Sequence, residues 1–163
     1  MQLRLATQLQ EAIIESTCDG EGIRLVLFTA YCPHHCLGCH NQQLWSRTSG
    51  VTYEVEQVVR SLLQRLEGGP YSGITISGGD PLAQSTSIKI LLQTLKREQP
   101  TLNIWCYTGY RLENLPDPSL LPFLDVLVDG PFQKEHCPTT LPFRGSSNQR
   151  MIRLQAGKVI SFE

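Results

Sequence analysis

The sequence predicts an α/β fold: an open partial (β/α) barrel whose sheet holds about five or six mostly parallel strands. Three observations predict it. Short apolar runs alternate with two stretches of helical periodicity, an order that favours parallel strands joined by right-handed crossovers. The chain has 163 residues, whereas a complete eightfold barrel needs ~200 or more. No repeat, low-complexity tract or linker divides it, so residues 1–163 read as a single domain.

The elements follow in order. Residues 12–16 and 23–29 read as strands separated by the turn Cys18-Asp19-Gly20-Glu21-Gly22. Val55, Val58, Val59, Leu62, Leu63 and Leu66 recur with helical spacing, and Gly68-Gly69-Pro70 ends that helix. Residues 74–77 form a short strand. Ile88, Leu91, Leu92 and Leu95 mark a second amphipathic helix that stops before Pro100. Residues 103–108 and 125–128 are further strands, with a proline-broken stretch, 116–122, between them.

Four loops come directly after predicted strands and should share one rim, where such sheets carry their chemistry. They contain Cys32-Pro33-His34-His35-Cys36-Leu37-Gly38-Cys39-His40-Asn41, then Gly78-Gly79-Asp80-Pro81, Gly109-Tyr110-Arg111 and Asp129-Gly130-Pro131-Phe132. Three thiolates spaced C-x3-C-x2-C can hold three irons of a [4Fe-4S] cluster and leave the fourth without a protein ligand. The bland alternative is a structural zinc bound by the three cysteines with His34, His35, His40 or Cys18, since Cys3His sites are common. Paired C-x2-C knuckles typical of zinc modules are absent. Two glycines after residue 77 let the backbone approach a ligand and offer carbonyls to an ammonium group; an ordinary tight turn has the same composition.

Composition narrows the classes. The chain is 40% hydrophobic and 18% charged with a formal charge of −1, and no Lys/Arg cluster suggests a nucleic-acid surface. No run reaches the ~18 apolar residues of a membrane span. The first residues lack the apolar core of a signal peptide, so six cysteines point to a reducing cytoplasm rather than to disulfides. Cys18, Cys106 and Cys137 read as buried or spare thiols, Trp105 and Tyr107 as packing residues, and His34 and His35 as a solvated loop tip. Asp129 and Arg144 are each open to a ligand or partner contact or to a plain structural role.

The cysteine loop together with Ser77-Gly78-Gly79-Asp80-Pro81-Leu82 resembles the radical S-adenosylmethionine (SAM) enzymes. More narrowly, the chain resembles the activating proteins of anaerobic (class III) ribonucleoside-triphosphate reductases. This rests on Gly22-Ile23-Arg24, the cysteine loop with Trp45, the Gly-Gly-Asp loop, Trp105 with Thr108-Gly109-Tyr110, Val126-Leu127-Val128-Asp129-Gly130, and Phe143-Arg144-Gly145-Ser146-Ser147-Asn148-Gln149. Gly38 before the third cysteine and Asp80 after Gly-Gly are marks of that family. Ala30-Tyr31 and His40 depart from its usual pattern, beside the cluster.

The resemblance implies a partial barrel of the radical SAM type, cluster ligation by Cys32, Cys36 and Cys39, and a SAM pocket lined by Gly38, Cys39, His40 and Gly79, with Ser77, Gly78 and Asp80 as lesser members. It implies reductive cleavage of SAM and a glycyl radical on the large chain of the reductase, with an electron donor such as flavodoxin or ferredoxin. Two other functions are compatible with the residues: a short radical SAM enzyme acting on another protein, peptide or small metabolite, and a non-enzymatic structural metal module.

Overall fold

The computed structural model describes residues Met1–Glu163. Strand β1 (Gln2–Leu5) alternates outward and inward, so Leu3 and Leu5 are fully enclosed. A single turn, α1 (Leu9–Ala12), leads into β2 (Ile13–Ser16), and β3 (Arg24–Thr29) follows the glycine-rich turn. The cysteine segment then precedes β4 (Val51–Glu54), which runs directly into α2 (Val55–Glu67). Glu54 and Gln57 form a reciprocal capping box at the start of α2, and Gly68 caps its end.

β5 (Gly73–Gly78) leads through a 3-10 turn to α3 (Ser85–Glu98), and β6 (Ile104–Tyr107) follows. The crossover to β7 (Val126–Asp129) contains no α-helix but two 3-10 stretches, Leu112–Asn114 and Pro118–Phe123, the second holding Pro118 and Pro122. β8 (Arg150–Gln155) and β9 (Lys158–Phe162) close the chain as a hairpin.

All nine strands join one sheet in the order β4-β1-β3-β5-β6-β7-β8-β9, with β2 beside β3. The expectation of five or six mostly parallel strands is therefore corrected. Only the centre, β3-β5-β6-β7, is parallel, and the remaining five pairings are antiparallel. The added strands are short flanking pieces whose hydrophobic pattern carries no information on pairing direction. The sheet does not close on itself, because β4 and β9 end its path.

Register divides the parallel strands into two faces. Leu25, Leu27, Ile74, Ile76, Ile104 and Leu127 point to α2 and α3, whose Val55, Val58, Leu62, Ile88, Leu91, Leu92 and Leu95 complete the main core. The other face carries Arg24, Thr75, Trp105, Val126 and Val128. Arg24 plugs the strand-start end of this face. Its guanidinium donates to Thr75 Oγ1 (2.8 Å), Ile74 O (2.7 Å) and Asn103 Oδ1 (2.9 Å) and sits 5.3 Å over the Trp105 ring. Burial pulls its pKa down to about 10, with Asp125 and Glu21 opposing that shift, so it stays charged at neutral pH. The opposite end of the same face, where the strands finish, is open.

Candidate functional site

A cavity of about 160 Å³ lies at those strand ends. Cys32, Cys36 and Cys39 form one wall, and Ser77, Gly78, Gly79 and Asp80 at the end of β5 form the facing one. Thr108 and Gly109 after β6, with Gly130 and Phe132 after β7, complete the rim. The four loops that follow predicted strands thus meet at one place. Gly38 and His40 do not line this cavity. Gly38 takes φ 80° beside the Lys134 side chain, a conformation that glycine adopts without strain, while His40 faces a separate apolar recess with Phe132 and Cys137.

Each of the three sulfurs meets a backbone amide. Burial pushes the Cys32 thiol up to about 11, partly offset by the His34 backbone N–H. Burial also raises Cys36, partly offset by the Phe132 backbone N–H. Asn41 N–H donates to Cys39 Sγ at 3.4 Å. Such N–H to sulfur contacts tune iron-sulfur centres. The raised thiols are protonated at neutral pH, so ligation of a metal centre displaces protons.

No three His, Cys, Asp or Glu side chains converge closely enough to share one metal ion. A cubane cluster asks for less convergence than zinc, because each cysteine binds a different iron. Three half-buried thiols on one cavity, all free, fit that group. The spare thiols divide: Cys106 is buried, whereas Cys18 and Cys137 are exposed.

Gly79 has a use that the sequence reading did not assign. Its N–H donates to Thr29 O at 2.8 Å, and Asp80 N–H donates to Tyr31 O at 2.7 Å. A Cβ on Gly79 would stand 2.3 Å from Tyr31 O. The glycine therefore lets the end of β5 cross the strand end that leads to Cys32, and any ligand approaches a backbone already pinned there.

One further expectation is corrected in part: His34 is not solvated, whereas His35 is exposed, as a loop tip would be. His34 Nε2 lies 2.5 Å from Asp80 Oδ2, and the His35 ring stacks on Trp45 with centroids 4.6 Å apart and planes 8° apart. The Trp45 indole N–H is buried without an acceptor. Asp129, open to a ligand or partner contact or to a plain structural role, takes the structural one as the centre of an internal ion pair. It is fully buried, holds Arg150 at 2.5 and 2.9 Å, and accepts from Leu112 N at 2.8 Å. Asp129 and Glu113 hold the Arg150 pKa above its usual value.

Both contacts join residues far apart in the chain, and no local pattern encodes them. Tyr107 and Trp105 do pack as expected: the Tyr107 hydroxyl donates to Phe143 O at 2.6 Å, and Trp105 meets the Phe143 ring edge to face. Gln149 ties the same segment to the rim, donating to Gly130 O at 3.0 Å.

Comparison with known proteins gives a consistent result. Residues 18–152 match the family model described as "4Fe-4S single cluster domain". A protein of Haemophilus influenzae named anaerobic ribonucleoside-triphosphate reductase-activating protein is 40% identical over 146 residues, covering 84% of this chain and 92% of the relative. Proteins of the same name from Vibrio cholerae, 40% identical with 83% and 90% coverage, and from Enterobacteria phage T4, 36% identical with 82% and 88% coverage, are similar too.

Proposed function

The chain belongs to the anaerobic ribonucleoside-triphosphate reductase-activating proteins, and from that premise we propose that it activates such a reductase by installing a glycyl radical on the reductase's large chain. The observation that carries this is the joining of the Cys32, Cys36 and Cys39 wall to the Gly78-Gly79 strand end across one cavity. Bound there, a [4Fe-4S] cluster and SAM supply the chemistry: one electron from a donor such as flavodoxin or ferredoxin, reductive cleavage of the sulfonium, and hydrogen abstraction from glycine.

The residues of this chain do the rest. Cys32, Cys36 and Cys39 are assigned as cluster ligands, each sulfur supported by a backbone amide. Ser77, Gly78 and Gly79 offer backbone polar groups to the methionine end of SAM, with Asp80 fixing their direction from within. Gly38 turns the loop into Cys39, and His40 with Phe132 borders the apolar recess through which a nucleoside or a glycine-bearing loop could be received. Burial of the thiols and the Arg24 plug at the far end limit access of water.

The open sheet is read as a partial barrel of the radical SAM type within a single domain, 1–163. No helix is long and apolar enough to cross a membrane, and a reducing cytoplasm suits free thiols. Anaerobically reconstituted, dithionite-reduced protein should release 5'-deoxyadenosine from SAM, and Cys36→Ala should abolish release. Zinc without iron or sulfide in the purified protein would end this reading.

A further inference from the structure

The Asp80 carboxylate is where three rim loops meet. Its side chain is 1% exposed. Leu82 N donates to it at 2.9 Å and Gly109 N at 2.8 Å, while Thr108 Oγ1 lies 2.9 and 3.0 Å from its two oxygens. These donors all follow β5 or β6. The remaining one, His34 Nε2 at 2.5 Å, comes from the cysteine segment.

The His34 ring is seated for that contact. A Cβ on Gly109 would stand 2.5 Å from it, so the ring occupies space that a side chain there would take, and its edge meets the Tyr110 ring with centroids 4.5 Å apart. The backbone amide of the same residue supports the Cys32 thiol. One residue therefore touches a cluster ligand with its main chain and the facing cavity wall with its side chain.

We propose that His34 is a positioning residue, whose ring N–H to Asp80 sets the cysteine segment against the Gly78-Gly79 strand end so that both walls receive SAM in one geometry. This rests on the function proposed above. Three thiols suffice for ligation, so losing the ring donor spares the cluster. It frees the two walls to drift, and a ligand that needs both binds less well. Pre-setting the walls removes an ordering cost from the binding step.

The test compares reconstituted wild type, His34→Ala, His34→Gln, Asp80→Asn and the His34→Ala/Asp80→Asn double variant. Iron and sulfide content, SAM affinity by equilibrium binding, and the SAM-induced change in the electron paramagnetic resonance spectrum of the reduced cluster are read in each. His34→Ala should keep its iron, bind SAM about tenfold more weakly, equivalent to about 1.4 kcal/mol, and show a diminished spectral change. His34→Gln, whose amide N–H reaches close to the position of Nε2, should recover most of both. Adding His34→Ala to Asp80→Asn should weaken SAM binding by much less than tenfold, since the two side chains act as one unit.

Unchanged SAM affinity in an iron-replete His34→Ala overturns the proposal. So does loss of iron in that variant, which would make His34 a support of ligation alone, and so does failure of His34→Gln to recover, which would assign the effect to ring packing. Wild type that holds iron but shows no SAM-induced spectral change defeats the SAM reading and the proposal with it; a change that persists undiminished in His34→Ala defeats the positioning role only.

Discussion

Individual side chains at the rim are held by crowding and by buried hydrogen bonds, and each makes a distinct prediction. Gly79→Ala drives a methyl to 2.3 Å from Tyr31 O, so the end of β5 must pull away from the strand end before Cys32. We expect about 2 kcal/mol of lost stability in urea unfolding together with weakened SAM binding, because the shift opens the cavity wall. Asp129→Ala leaves Arg150 beside a vacated, fully buried site and removes the acceptor for Leu112 N. Its expected cost is about 3 kcal/mol in the same assay, with iron content unchanged. At this scale the sequence was legible in kind and not in partner. The three cysteines and the Gly-Gly pair stood out by spacing and do line one cavity, since thiol spacing and room for close approach are properties of a short segment. The His34 to Asp80 and Asp129 to Arg150 contacts join residues separated by 46 and 21 positions, and single-segment patterns hold no record of them.

The elements were legible where one face had to be buried. α2 spans Val55–Glu67 and α3 spans Ser85–Glu98, around the positions that helical spacing marked, because leucine and valine at that spacing have only one way to leave water. Leu62 and Leu91 are fully enclosed, so Leu62→Ala or Leu91→Ala should each cost about 2–5 kcal/mol by chemical denaturation without altering the metal content of folded protein. β1, β4, β8 and β9 were missed for a physical reason. They are four to six residues long, β4 and β9 lie at the ends of the sheet, and edge strands with polar outer faces resemble loops in any local count. Arg24 shows the same blindness from inside: the pattern places it within the strand 23–29 without naming a partner, yet it is 1% exposed and links β3 to Ile74, Thr75 and Asn103. Arg24→Ala should lower stability by about 3 kcal/mol, since several carbonyl and hydroxyl groups lose their donor within the fold.

For the molecule as a whole, the sheet separates support from chemistry. One end of its helix-free face is sealed by Arg24 and Trp105, and the other carries the cavity. Fold variants such as Leu91→Ala and site variants such as Cys36→Ala should therefore part cleanly, the first lowering the unfolding midpoint with iron retained, the second losing iron with the midpoint of the metal-free protein nearly unchanged. The rim could be anticipated because loops after parallel strands gather at one end whatever their sequence; the flanking antiparallel strands that widen the sheet could not. The chain has only two tryptophans, and they fall on the two sides of this division. Trp105 sits in the sealed end, while Trp45 lies flat against His35 within the cysteine segment. In a Trp105→Phe protein, tryptophan emission, excited selectively over the tyrosines, would come from Trp45 alone, dimmed by the stacked imidazole and dimmed further when a light-absorbing iron-sulfur centre is built in the same segment. The fold thus contains its own optical gauge of cofactor loading, readable through the wall of a sealed anaerobic cuvette.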